Sequence, residues 1–420
     1  MSLHKNLIYL AYIVIAYCFI GLVRADSEPL TESHTDQLRR VNNMSLHDIL
    51  QTTVVRYPDF QVLQAKKIDI DAKEKYANGL LPRAPAIGLS HQNDALTTQR
   101  TQKEWEFALD LPIWMVNQKS ARKQLAQDSA NAYESAQISL QLVVAGMLRD
   151  ALWNIAMAEN QVVLANYRAD MADRLLNDVQ KRVKAGDLPA SDTLLAKNEA
   201  LSAQAMQLNA ETELRHASYR YSLLTGNDHM PANYDEELST KQFNELHPML
   251  NEAKQKLLLA DDEKSLVIVE RKTNPTLSLN ARNQRDPFDN QVNNSLGFRI
   301  QIPLESEVQS APLIANAEMN IARAQSELLR LRYALENAYH EAQHNLSVAR
   351  AALVLSEQQQ SNSQQSLKLA RKAFSLGEMD LINLLRIQSI AFEAERLYQQ
   401  NVLQVKWSIS RYNQAVGELP

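Results

Sequence analysis

Glycine and aromatic residues are scarce in this chain: 9 of its 420 residues are glycine and 6% are aromatic. So little glycine leaves little room for glycine-rich β-domains, and no phosphate-binding glycine motif is present. The only cysteine is Cys18. It lies inside an apolar run, and the bulky Tyr17 before it does not suit a lipoprotein cleavage box. Disulfide and thiol chemistry are therefore not expected in the processed chain. There is no basic patch either, since Asp and Glu number 49 against 44 Lys and Arg. That balance argues against nucleic acid as a partner. After Val23 no long uncharged apolar stretch remains, so no transmembrane helix is expected there. Any membrane insertion would have to use strands.

Ala, Leu, Gln, Glu and Asn dominate instead, a composition that favours long helices. Residues 1–25 read as an export signal. A weakly basic start at His4 and Lys5 leads into an apolar run from Leu7 to Val23, closed by Arg24-Ala25. An uncleaved anchor is the alternative. Removing residues 1–25 takes away Lys5 and Arg24 and no acid, which moves the net charge from −5 to −7.

The main signal is an internal repeat. Tyr57-Pro58 resembles His247-Pro248, and Pro85 to Leu89 resembles Pro275 to Leu279, both at an offset of 190. Phe107 to Pro112 resembles Phe298 to Pro303, Gly186 matches Gly377, and Arg220-Tyr221 with Gly226 matches Arg411-Tyr412 with Gly417, all at 191. The division expected is an N-terminal extension (26–45), repeat one (46–226), a polar connector with Pro231 (227–242) and repeat two (243–420). Each repeat holds a first helix (46–80 or 243–272), two short alternating stretches, a very long helix (117–185 or 312–376), a glycine break and a closing helix (190–225 or 380–416).

Heptad spacing marks the long helices. Val144, Ala151, Ala158, Ala165, Ala172 and Val179 form a small row, and Leu148, Ile155, Val162, Ala169, Leu176 and Val183 a bulkier one. Both rows recur 191 residues later, from Leu335 and Tyr339. A sustained seven-residue period implies left-handed supercoiling with close helix approach. Between the helices, Trp105, Phe107, Leu109 and Leu111 alternate with polar or small residues, as do Leu296, Phe298, Ile300 and Ile302. Runs of this length suit tilted membrane strands with one apolar and one wet face. Four strands cannot close a barrel, so other copies must complete it, and three copies would supply twelve. The fold class expected is mainly α with a small β part.

The duplicated layout, the strand pairs ending near Pro112 and Pro303, and the two turns together resemble the TolC-like outer-membrane efflux duct family. The turns run from Val183 to Leu194 and from Phe374 to Leu385. The absence of a lipid-anchor cysteine and the compact length resemble its heavy-metal-efflux, CzcC-type branch. The resemblance implies a homotrimer with a twelve-stranded barrel in outer-membrane lipid and an α-helical tube across the periplasm. It also implies turns that dock on a periplasmic adaptor coupled to an inner-membrane RND-type pump. The docking residues would be Gly186, Asp187, Leu188, Pro189 and Ser191, with Gly377, Glu378 and Met379. Family members often close the tube end with acidic rings and salt bridges. Asp192, Asp380, Asn383 and Arg386 stand there as a candidate gate, with Asn383 and Arg386 where some members carry aspartates. No cofactor, resident metal or enzymatic activity is implied.

Two other readings compete. A periplasmic coiled-coil adaptor or scaffold would also use helical hairpins. A zinc peptidase is suggested by His340-Glu341-Ala342-Gln343-His344, which matches the H-E-x-x-H pattern. Ala342, however, falls in the small heptad row, and no glycine turn with a third histidine follows at the usual spacing. His47, His91, His216, His229 and His247 are scattered. Trp105 and Trp114 are candidates for an interfacial aromatic belt.

Overall fold

This computed structural model describes residues 38–96, 102–285, 288, 291–304 and 307–420. The expected export signal, Cys18 and most of the expected N-terminal extension lie outside the described residues.

The chain opens with β1 (Arg39–Val41), α1 (Leu46–Arg56) and α2 (Pro58–Asn78). A capping box starts α1: the Asp48 amide donates to Ser45 Oγ, and the Ser45 amide donates to the Asp48 carboxylate. The single helix expected over 46–80 is in fact two. Proline restrains the residue before it away from the helical region. Tyr57 accordingly takes φ −67°, ψ 136°, ending α1 and preceding Pro58 at the start of α2.

The strands β2 (Ala86–Asn93) and β3 (Lys103–Pro112) come next, then α3 (Gln118–Ala185) and α4 (Ala190–Thr225). After β4 (His229–Pro231), the second repeat supplies α5 (Pro248–Glu270), β5 (Thr276–Arg285), β6 (Val292–Gln301), α6 (Glu307–Ser375) and α7 (Leu381–Ala415). α6 begins upstream of the expected start, with Pro312 inside it.

Each long helix is flanked by shorter ones. α2 lies along the sheet-proximal half of α3, where Lys73 donates to Ser129 at 3.3 Å, and α4 lies along the tip-proximal half, where Arg168 pairs with Glu199 at 2.9 Å. In the second repeat α5 packs on both α3 and α6, and α7 runs along the tip-proximal half of α6. The rows therefore read α2 with α4, then α3, then α5 with α7, then α6. The heptad seam faces inward in both repeats: Val144, Ala158, Ala165, Ala172 and Val179 are buried, as are Ala342, Ala349, Ser356 and Ala370.

The segments read as extension and connector carry order that the sequence pattern does not announce. β1 pairs in parallel with β4, Arg39 opposite His229 and Val41 opposite Pro231. The partners differ by the repeat offset of 190, so each strand lies beside its own counterpart. Further along, the connector is clamped by a buried arginine. Arg149, 3% exposed, makes a bidentate pair with Glu236 at 2.8 and 2.6 Å, and its remaining nitrogen donates to Gln414 Oε1 at 2.6 Å. Gln414 donates in turn to the Leu142 carbonyl at 2.8 Å. Gly146 makes room for this: a Cβ there would come within 2.9 Å of Gln414 Nε2. Asn413 donates to Glu236 and to the Glu237 carbonyl, at 3.2 and 2.8 Å.

Leaving Glu236 buried without its cation costs more than the pair itself is worth. Arg149→Ala is therefore expected to lower unfolding stability by about 3–5 kcal/mol. Denaturant titration followed by helical circular dichroism checks this, and Arg40→Ala, at a half-exposed pair with Glu159, should cost less than about 1 kcal/mol.

Candidate functional site

Two regions carry the residues singled out in the sequence: the sheet at one end of the helices and the tips at the other. The sheet has the order β2-β3-β5-β6, all antiparallel. Strand alternation puts its apolar residues in cross-strand rows on one face. Ile87, Leu109, Leu279 and Phe298 form one row, and Leu89, Phe107, Ala281 and Leu296 the next. Leu111, Leu277 and Ile300 lie beyond. Most of this face is open: Leu296 is 88% exposed, Phe298 74% and Ile300 57%. Leu109 and Leu111 are half-buried, and Ile302 stands just past the end of β6.

The opposite face is polar. Arg282 pairs with Glu104, and Asn280 donates to Glu106 at 3.1 Å. The two candidate belt tryptophans separate. Trp105 stacks on His91 at the far end of the apolar face, with ring centroids 4.1 Å apart. Trp114 packs at the helix junction, donating to the Gly79 carbonyl at 3.2 Å and tilting on Tyr76. The outer edges, β2 and β6, have no strand partner among the described residues.

At the other end the helix turns share one backbone solution. Gly186 (φ +86°) and Gly377 (φ +75°) are left-handed. Asp187 N–H returns to the Arg182 carbonyl and Gly186 N–H to Val183; Glu378 and Gly377 do the same to Ala373 and Phe374. This doubled hydrogen bond needs φ > 0 at the glycine, which L side chains resist. The two turns pack together, with Leu188 and Met379 against a cluster of Val179, Phe374 and Leu381. Arg182 locks them: it donates to the Phe374 carbonyl at 3.0 Å and lies 4.9 Å over the Phe374 ring. Asp187, Pro189, Ser191 and Glu378 are exposed.

The candidate gate residues fall into two sets. Asp380 caps α7, taking the Asn383 amide at 2.7 Å and the Asn383 side chain at 3.0 Å. In the first turn Pro189 precedes α4 without a side-chain cap, and Asp192 accepts only a long bond from Ser191, 3.4 Å. Within one chain, no hydrogen bond or ion pair among the described residues joins Asp192, Asp380 and Arg386. A mixed ring would need several copies.

One feature had no sequence signal. Asp128 on α3 lies beside Asp262 on α5, two carboxyl groups brought together between the repeats. Burial, then the hydrogen bond to Asp128, pushes the Asp262 carboxyl up to about 6. Gln124 and the bond with Asp262 hold Asp128 below its usual value. Neighbours 134 residues apart in sequence leave no local pattern to read.

No family model matches the chain. The cobalt-zinc-cadmium resistance protein CzcC of Cupriavidus metallidurans is 24% identical over 315 residues, 72% of this chain and 74% of that protein. Among solved structures, the Campylobacter jejuni CmeC outer membrane channel superposes with TM-score 0.71 at 12% identity, over 89% of this chain and 85% of that one. The Vibrio cholerae outer membrane protein VceC gives 0.71 at 14%, over 89% and 96%, and CusC gives 0.71 at 13%, over 91% and 94%. The fold is that of outer-membrane channels, as the resemblance to the TolC-like family implied, and the sequence relative is of the CzcC type.

Two outcomes follow. An unfolded chain releases the Asp262 proton near pH 4, whereas the folded chain holds it to about pH 6. That stabilisation is complete below pH 4 and lost as pH rises through 6. Asp262→Asn is expected to flatten the stability profile between pH 4 and 6 and to gain about 1 kcal/mol at pH 7 after solvent screening. Urea unfolding across pH reads both. Asp380→Ala should cost about 1 kcal/mol of cap energy. Hydrogen exchange checks it, with faster exchange at Leu381 to Leu384 and unchanged rates at Ser191 to Leu194.

Proposed function

We propose that three copies of this chain form a passive export duct, the outer-membrane component of a tripartite efflux system, with heavy-metal cations as its cargo. The observation that carries this is the sheet: among the described residues it has four strands, two open edges and an exposed apolar face, mounted on helices of 68 and 69 residues. Edge strands in hydrocarbon need partners for every N–H and C=O, and neighbouring copies supply them. Three copies make twelve strands, enough to close a barrel with the polar face of Glu104, Asn280 and Arg282 around the lumen. Helices of that length reach roughly 100 Å, the scale of a periplasmic passage.

The tips then point away from the membrane, with their exposed turns available to a periplasmic adaptor and, through it, an inner-membrane pump. Energy comes from that pump, since the chain carries no nucleotide motif. The cargo reading rests on the relative, whose name specifies cobalt, zinc and cadmium resistance. A periplasmic adaptor or scaffold gives no role to the exposed apolar face of Leu296, Phe298 and Ile300. A peptidase reading is disfavoured because His340, Glu341 and His344 stand exposed on a coiled coil.

Deleting the gene is expected to lower resistance to cobalt, zinc or cadmium severalfold while leaving antibiotic and dye susceptibility unchanged. Fractionation should place the protein in the outer membrane as a detergent-resistant trimer. A soluble monomer in the periplasm would falsify the duct, and unchanged metal resistance with raised drug susceptibility would overturn the cargo.

A further inference from the structure

The motif His340-Glu341-Ala342-Gln343-His344 has no part in the duct as described so far. Its two imidazoles stack with centroids 6.5 Å apart, and His340, Glu341 and His344 are all exposed. They stand on the side of α6 away from the buried seam of Ala342, Leu346 and Ala349. No cluster of three or more metal-ligating side chains forms among the described residues. Glu341 takes a hydrogen bond from Asn337, one turn back on the same helix, at 2.7 Å.

The first repeat shows what this face does when it is covered. Moved back by 191, the three residues become Arg149, Asp150 and Trp153 of α3. There α7 is seated on them. Trp153 Nε1 donates to Ser410 Oγ at 2.9 Å, Trp407 Nε1 donates to Asp150 Oδ1 at 2.9 Å, and Arg411 Nε lies 3.5 Å from the same carboxylate oxygen. Trp153, which also packs edge-on against Tyr234, is only 2% exposed.

The same shift applied to the three α7 partners gives His216, Tyr219 and Arg220 of α4. These too are exposed: the His216 side chain is 60% open and Tyr219 50%. Within one chain α4 packs on α3, and α7 intervenes before α6. The two faces can meet only between copies. Their chemistry is complementary at the equivalent positions. The Asp150 carboxylate, with its indole and guanidinium donors, is matched by the Glu341 carboxylate, with imidazole and guanidinium donors.

We propose that a second copy seats its α4 on the outer face of α6. Glu341 takes hydrogen bonds from the second copy's His216 and Arg220, and His344 lies on the second copy's Tyr219. The inference rests on the duct reading and gives its copy-to-copy joint named residues. It also assigns the H-E-x-x-H pattern to assembly: Glu341 answers two donors across an interface, as Asp150 does within the chain. At present Glu341 and His216 are held by neighbours on their own helices, Asn337 and Glu213. Both contacts lie at exposed positions and are weak enough to exchange.

Paired cysteines test the joint in the full chain. In a Cys18→Ser background, His344→Cys with Tyr219→Cys reproduces the Trp153–Ser410 position between copies. Treating membranes that carry this variant with a bifunctional methanethiosulfonate cross-linker, which spans the length of the indole it replaces, is expected to give bands of two and three linked chains on a denaturing gel, reversed by dithiothreitol. Either single variant should stay at one chain. A double variant that elutes as a detergent-stable oligomer yet remains a single-chain band overturns the pairing and leaves the duct standing. A helical protein that is monomeric in mild detergent overturns both. Should the cysteine pair not fold, charge reversal decides. Glu341→Arg is expected to lower the oligomer's dissociation temperature by several degrees, and adding Arg220→Glu to restore it. Failure to restore it overturns the joint.

Discussion

Backbone hydrogen bonding at the edge of a sheet is the constraint on which the rest of this molecule depends. In water an unpaired strand edge is a liability; in hydrocarbon it is close to forbidden, because nothing there replaces a missing partner. Among the described residues β2 and β6 each leave such an edge. The exposed rows of Leu89, Phe107 and Leu296 have the same consequence, since they suit a medium other than water. The helices form one layer, buried along small-residue seams, and the outer sides of α6 and α4 carry exposed residues such as Glu341, His344 and His216.

The repeats share a backbone and diverge in how they are held. In the first, the core gathers around Ile49, Leu50, Leu148, Ile155 and Tyr221, closed over by α1 and β4. The equivalent stretch of α6 buries Ala342, Leu346 and Ala349 while its other side stays open. At the tips, Arg182 reaches across to Phe374, whereas the position 191 residues later is Ala373. A duplicated unit thus keeps its geometry while one half specialises in packing within the chain and the other in presenting surface.

Periodic features were legible in the sequence because they are local and repeated. The row of Val144, Ala158, Ala165 and Val179 is written at heptad spacing, and Gly186 with Gly377 marks the turns through the need for a left-handed residue. The alternation around Phe107 and Phe298 likewise gave the strand face that is exposed. Features made by distant partners were not legible. Arg149 meets Glu236 across 87 residues and Gln414 across 265. Asp128 and Asp262 belong to different repeats, and β1 is too short to read without β4 beside it. The break at Tyr57 was readable in principle, since Pro58 restricts its predecessor. Placing the candidate gate residues needed the cap geometry: Asp380 is already engaged by Asn383, while Asp192 is nearly free.

The two turns hold a further consequence for stoichiometry. A Cβ added at Gly186 or Gly377 would meet nothing within 4 Å, so these glycines are required by backbone angle and not by crowding. The turn therefore offers an approaching protein a bare, doubly repeated main-chain shape. The side chains around it, Pro189 in one turn and Asp380 in the other, are not repeated. In a ring of three copies, a partner that reads the shape alone finds six equal seats, and one that reads the side chains finds three.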